Sequence, residues 1–171
     1  MVDSRIVWGF AVFLLLLVGG VYVSQSGLLY QIDEPNPDGY ERVTVTAYDD
    51  NGTELATVEV RVADTQPKRY LGLSNTSELS TGAGMLFVHE SEGSHGYVMR
   101  DMAFPLDIVF VDADERITTI HHAGVPEGSY ERTYRGRGKW VLEVPRGWAN
   151  ETGVEEGDRI AVPPAARNVS G

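Results

Sequence analysis

Apolar and polar residues alternate most regularly between residues 42 and 63. In 42–48 the positions Val43, Val45 and Ala47 fall on one side, and in 54–64 Val58, Val60 and Val62 do. A period of two is the pattern of a half-buried strand. Between the two runs stands Asp49-Asp50-Asn51-Gly52, and Asn-Gly is the strongest short hairpin signal. The pattern predicts a β-hairpin. It then breaks. Thr65 suits a helix N-cap, Pro67 suits a first turn and Gly72 interrupts the run at its end, so one short helix is predicted over about 66–72. Downstream, apolar runs predict strands at 85–89, 96–101, 107–111, 116–122 and 139–144. Asp112–Glu115 reads as the turn between the third and fourth of these. "RGWANETG" (146–153) reads as a short helix or turn, and "GDRIAV" (157–162) holds the last strand. Many short strands with little helix predict a mainly β fold. The expectation is a small, partly closed β-barrel or sandwich with two short helices.

The first part of the chain follows a different rule. Residues 6–23, "IVWGFAVFLLLLVGGVYV", carry no charge. A helix of that length just spans a bilayer core of about 30 Å. The run exceeds a usual signal h-region of about 7–15 residues, and no A-x-A site follows it. The prediction is one N-terminal transmembrane helix, an anchor or uncleaved signal. Arg5 precedes it, while Asp33, Glu34 and Asp38 come after. The positive-inside rule then places residues 1–5 in the cytoplasm and 27–171 outside the cell membrane. Residues 24–41 hold Pro, Gly and acids without periodicity and read as a linker. The β-rich domain is expected over 42–162, with 163–171 as a flexible tail.

Composition narrows the function. The chain of 171 residues has 25 acidic and 14 basic residues, a net charge of −11. Such a chain repels nucleic acid, which needs a basic face. High negative charge is also a habit of halophiles, so a salt-loving source is expected. There is no cysteine, which removes disulfides, thiolate metal sites and a cysteine nucleophile. Four of the five asparagines stand in N-x-S/T: Asn51, Asn75, Asn150 and Asn168. Ser and Thr are about one residue in eight here, so chance supplies fewer than one such triplet among five. Each is a glycosylation candidate on an exported chain.

Several motifs occur in a recognisable order. Arg69 is followed by Gly72-Leu73, then by Gly84-Met85-Leu86-Phe87 and Met99-Arg100-Asp101. Pro105-Leu106-Asp107 comes next, then Leu142-Glu143, and Gly153 leads to Gly157-Asp158. In this order, over about residues 43–162, the chain resembles the exported and membrane-tethered bacterial and archaeal family called domain of unknown function 192, here as a halophilic archaeal member. It departs from that pattern at Val98, where the family has Trp, and at Asp101, where it has Asn. Ser74 and Thr76 stand where a Met and an Arg are usual. The resemblance implies a compact β-rich domain with two short helices and a partly closed sheet. It implies no particular reaction.

Candidate chemistry centres on carboxylates. Asp107 follows Pro105 at the mouth of the apolar run Ile108-Val109-Phe110-Val111. A short carboxylate there can accept backbone N–H bonds from a neighbouring turn. Alternatively, Asp107 pairs with Asp101 or Glu143, and two nearby carboxylates divide into acid and base. Those three are the catalytic candidates, for a small hydrolase acting on envelope glycans. Met99 and Met102 are soft ligands that a copper-handling domain would use with His89 or His95. On a strand, however, positions three apart face opposite sides. His121-His122 likewise point to opposite faces, so one is expected to meet solvent. "YRGRGKW" (134–140) gathers Arg135, Arg137 and Trp140, the usual equipment of a carbohydrate or anionic-ligand surface. The ligand-binding candidates are therefore Met99, Arg100, Asp101, Asp107, Arg135, Arg137 and Trp140. No metal site, cofactor motif, nucleophile elbow or phosphate loop is present in the sequence, and no cofactor is expected. The leading expectation is a non-catalytic binding domain at the cell envelope, with a sugar or protein as its ligand.

Overall fold

A computed structural model describes residues 39–126 and 132–169. The predicted anchor at 6–23 and most of the linker lie outside the described residues. Among those described, no helix is long and apolar enough to cross a membrane. Seven strands form one sheet: β1 (Arg42–Tyr48), β2 (Glu54–Ala63), β3 (Ala83–Val98), β4 (Leu106–Val111), β5 (Ile117–Ala123), β6 (Thr133–Pro145) and β7 (Arg159–Ala161). The described residues also hold two short helices, α1 (Gln66–Leu71) and α2 (Trp148–Thr152), with a 3-10 turn at Pro164–Ala166.

The strand order is β5-β4-β6-β3-β2-β1-β7. The two edge strands meet at one end. Ile117 N donates to Asp158 O at 2.9 Å, Gly157 N to Ile117 O at 2.9 Å, and Ile160 N to Glu115 O at 2.9 Å. The sheet is thus curled and partly closed, which leaves fewer unpaired edge groups.

Curling gives the sheet an inner and an outer face, and alternation sorts residues between them. The inner face holds Val45, Val58, Val60, Val62, Leu86, Val88, Val109, Val111, Leu142, Val144 and Ile160, closed by Trp148 of α2. The outer face carries Met85, Phe87, Ile108, Phe110 and Val141. Leu73, Met99 and Met102 from the segments around α1 and before β4 lie over it. β4 is buried at all six positions, because both of its faces are covered. That is why its apolar run does not alternate.

The predicted hairpin is β1–β2, paired from Arg42↔Arg61 to Ala47↔Ala56 with an irregularity at Tyr48. Asp49 Oδ1 accepts from Asn51 N and Thr53 N in its turn, and Gly52 takes φ 81° there. α1 starts at its expected cap, Thr65, whose Oγ1 accepts from Lys68 N.

Four expectations change. The strands predicted at 85–89 and 96–101 are a single strand, β3, which ends at Val98. It stays paired with β6 across an irregularity between Val88 and Gly93. β6 starts at Thr133, not 139. The domain begins before residue 42, since Tyr40 is buried in the outer layer. Within the expected tail, Ala166 is fully buried, and its carbonyl accepts from Trp140 Nε1 at 3.1 Å.

Candidate functional site

Asp107 sits on β4 in register with Val144 of β6, so its side chain shares the inner face. It is 0% exposed. Its Oδ2 accepts from Gly147 N at 3.1 Å and Ala149 N at 3.0 Å, and its Oδ1 meets His122 Nδ1 at 2.7 Å. The two amides belong to the first turn of α2. The residue at the N-cap of α2 is Gly147, with φ 99° and no side chain to offer. Asp107 supplies the missing cap from a neighbouring strand, satisfying donors that every helix start leaves orphaned. His122 is half-exposed on β5, opposite Asp107 in register. His121 points the other way, toward the rings of Phe110 and Tyr134.

Glu143 is the contrasting case. It lies one residue before Val144 on β6, opposite Met85 and Ile108, and therefore on the outer face. Asp107 and Glu143 point to opposite sides of the sheet, so the acid–base pair considered for them is not formed. Asp101 is exposed on a turn at φ 56°. Glu143 is buried, and none of the hydrogen bonds or ion pairs among the described residues reaches its carboxyl. Burial alone pushes its pKa up to about 8, so at neutral pH it holds its proton.

Above Glu143 lies a pocket of about 620 Å³. Its floor and walls come from Phe87, His89, His95 and Tyr97 of β3, and from Leu106 and Glu143. Arg69 and Tyr70 of α1 and Met99, Arg100 and Met102 of the turn before β4 close its sides. The His89 and His95 rings stack at 3.5 Å, and His89 Nε2 lies 3.0 Å from Tyr97 Oη. Burial, then the His95 and Arg69 charges, lower the His89 pKa to about 4. Burial also lowers that of His95, so both rings are neutral at pH 7. Burial foremost, and then the Glu143 charge, raise the Tyr97 phenol well above its ordinary value. His95 Nε2 is buried without a hydrogen-bond partner. Arg69 is held rigidly, its Nη1 donating to the carbonyls of Asp64 at 3.0 Å and Val88 at 2.9 Å. At the rim, the Arg100 guanidinium lies 4.3 Å over the exposed Tyr70 ring, and its Nη2 donates to Tyr70 O at 2.6 Å.

The sequence candidates divide accordingly. Met99, Arg100 and Glu143 reach the pocket. Met99 and Met102 stand on a turn, not a strand, and both side chains enter the same outer cluster. Trp140 is an inner-core residue, not a ligand platform. Arg135 and Arg137 lie exposed on β6 outside the pocket, with Arg137 paired to Glu92. Among the described residues, no three His, Asp or Glu side chains converge in the way a metal site needs. Sequence reasoning missed Tyr70, Phe87 and Tyr97 as wall residues. Their signal was the spacing Phe87, His89, His95, Tyr97 along one face of β3, hidden by the polar stretch between.

Residues 47–162 match the model of the family DUF192, described as uncharacterised ACR. No curated protein matches the sequence. Two crystal structures are similar. One is a protein of Sinorhizobium meliloti, provisionally assigned as a transcription regulator, 28% identical with a TM-score of 0.65; the match covers 71% of this chain and 94% of that one. The other, from Novosphingobium aromaticivorans, is of unknown function. It is 28% identical with a TM-score of 0.66, over 74% of this chain and 89% of its own.

Proposed function

The chain belongs to the family of domain of unknown function 192, and from that premise we propose that it is a non-catalytic binding module holding a small polar ligand of the cell envelope in the pocket above Glu143. The observation that carries this reading is a largely buried carboxyl that lines an open cavity and that no hydrogen bond among the described residues reaches. An unpartnered buried polar group costs about 1–3 kcal/mol. A ligand group in the cavity can supply the hydrogen bond that the Glu143 carboxyl does not make within the fold. A pocket of this volume, mostly apolar with a few convergent polar groups, is the usual form of a small-molecule site.

The module is tethered by residues 6–23, with 1–5 in the cytoplasm and the β-domain outside. Asn51, Asn75, Asn150 and Asn168 are all exposed, as glycan attachment requires. The excess of acidic residues fits a salt-rich exterior. The net charge of −11 opposes a nucleic-acid partner of the kind a transcription regulator uses. A catalytic role has less support, because the paired carboxylates it needs face apart.

The test is binding of envelope sugars, sugar acids and peptides to the full chain in a detergent that is not itself a sugar. Binding that weakens about tenfold in Tyr70→Ala and Arg100→Ala, both at the rim, supports the reading. Binding indifferent to both variants contradicts it. Protease shaving of intact cells should remove the β-domain; full protection overturns the proposed topology.

A further inference from the structure

The charges around this pocket are unusual for the molecule that carries them. The chain as a whole is strongly acidic. Yet the lining includes two arginines, Arg69 and Arg100, and a single acid, Glu143. The charged and titratable groups that share the pocket lining with Glu143 are Arg69 from α1, Arg100 from the turn before β4, and His89, His95 and Tyr97 from β3. Its in-register neighbours Met85 and Ile108 carry no charge. With the histidines neutral and the acid protonated, the walls hold positive charge only. A carboxylic acid kept neutral by an apolar site is a hydrogen-bond donor, and such donors serve to hold anions.

We infer that the pocket takes a small organic carboxylate on a hydroxylated ring, a sugar acid in chemical class, with its carboxylate facing Glu143, Arg69 and Arg100. The inference rests on the binding role proposed above and specifies its ligand. Guanidinium N–H groups match carboxylate geometry. Arg69 Nη1 and Arg100 Nη2 already donate to backbone carbonyls, so an anion would be met by their remaining N–H groups. The proton on Glu143 completes the set. The ring face lies against Phe87 and Tyr97 in the pocket wall. An amine is disfavoured here, because two fixed cations line the cavity.

The sign of the pH dependence separates the possibilities. Glu143 must keep its proton to donate, and it loses that proton near pH 8. Affinity for a carboxylate should then fall about tenfold per pH unit above about 8. A neutral sugar should show little change, and a protonated amine should be disfavoured at pH 6.5, where Glu143 is neutral. The experiment is calorimetric titration of the full chain, in a neutral non-sugar detergent, with galacturonate, galactose, galactosamine and inorganic phosphate at pH 6.5, 7.5 and 9.5 and constant ionic strength. The expected result is galacturonate at least tenfold tighter than galactose at pH 6.5, weakening above pH 8. Glu143→Gln should flatten that pH profile. Arg100→Gln should weaken galacturonate about tenfold while leaving galactose unchanged. Galactose equal to galacturonate, or galactosamine or phosphate preferred, overturns the inference and leaves the binding module standing. No binding by any probe overturns the sugar-acid assignment, and the wider ligand screen then decides the module.

Discussion

Asp107 and Glu143 are two buried carboxyls on adjacent strands, one register step apart, and they live under opposite conditions. Asp107 faces the inner layer and is met by two backbone amides and an imidazole. Glu143 faces the outer layer and is met by none. The fold completes the first and leaves the second open. A buried carboxylate with its acceptors filled is a structural part, here the remote cap of α2. A buried carboxyl left unfilled beside a cavity is what a binding site looks like before its ligand arrives.

Removing each side chain should therefore have opposite effects. Asp107→Ala strands the Gly147 and Ala149 amides and is expected to lower unfolding free energy by about 3–5 kcal/mol in denaturant titration. A loss under 1 kcal/mol would mean that the cap carries little weight. Glu143→Met replaces an unpartnered acid with an apolar chain of similar length among Met85 and Ile108. It should raise stability at pH 7 by about 1–3 kcal/mol and abolish ligand binding. Destabilisation by that variant would show that Glu143 is satisfied after all.

The pH dependence sharpens the contrast. The native state holds the Glu143 proton up to about pH 8, whereas the unfolded chain releases it near the ordinary value of 4.5. The native state thus binds more protons between those values, and stability falls with rising pH by up to about 1.4 kcal/mol per unit. His89 acts in the opposite direction. Its native pKa of about 4 lies below the ordinary 6.5, so stability falls as pH drops from 6.5 toward 4. Between pH 6.5 and 8 only the Glu143 slope of these two remains, and Glu143→Gln should flatten it; between 4.5 and 6.5, where the two slopes oppose, the same variant should uncover the full His89 slope. The smallest effect is expected from His122→Ala. It removes one of three contacts to Asp107 at a half-exposed position, for about 1 kcal/mol.

Much of the inner layer was legible in the sequence, because its strands alternate or run apolar under simple rules. Val43-Val45-Ala47 and Val58-Val60-Val62 state their own faces, and Asn51-Gly52 states the turn. Asp107 was legible as a strand-entry carboxylate that accepts backbone N–H bonds. The outer layer was not. β3 continues through "ESEGS" because its pairing with β6 resumes at Gly93↔Gly138, a tertiary fact without local signal. Gly136 hides a similar one. A Cβ there would stand 2.4 Å from Phe110 Cγ, so the glycine lets the ring lie against the ribbon. The buried tail at Ala166 was missed for the same reason, since two alanines between a pair of prolines and an arginine carry no periodicity. Glu143 was singled out, but its pairing with Asp107 fails on the register, which sets Asp107 opposite Val144 and Glu143 opposite Ile108, a tertiary fact without local signal.

The most direct test is the ionisation of Glu143 itself. Full chain labelled with carboxyl-13C glutamate, compared with Glu143→Gln to assign the signal, can be titrated by NMR from pH 4 to 10. One glutamate resonance is expected with its midpoint near 8, shifting when the ligand is added. A Glu143 midpoint near 4.5 would mean a solvated or paired carboxylate, and the contrast on which the binding site rests would be gone.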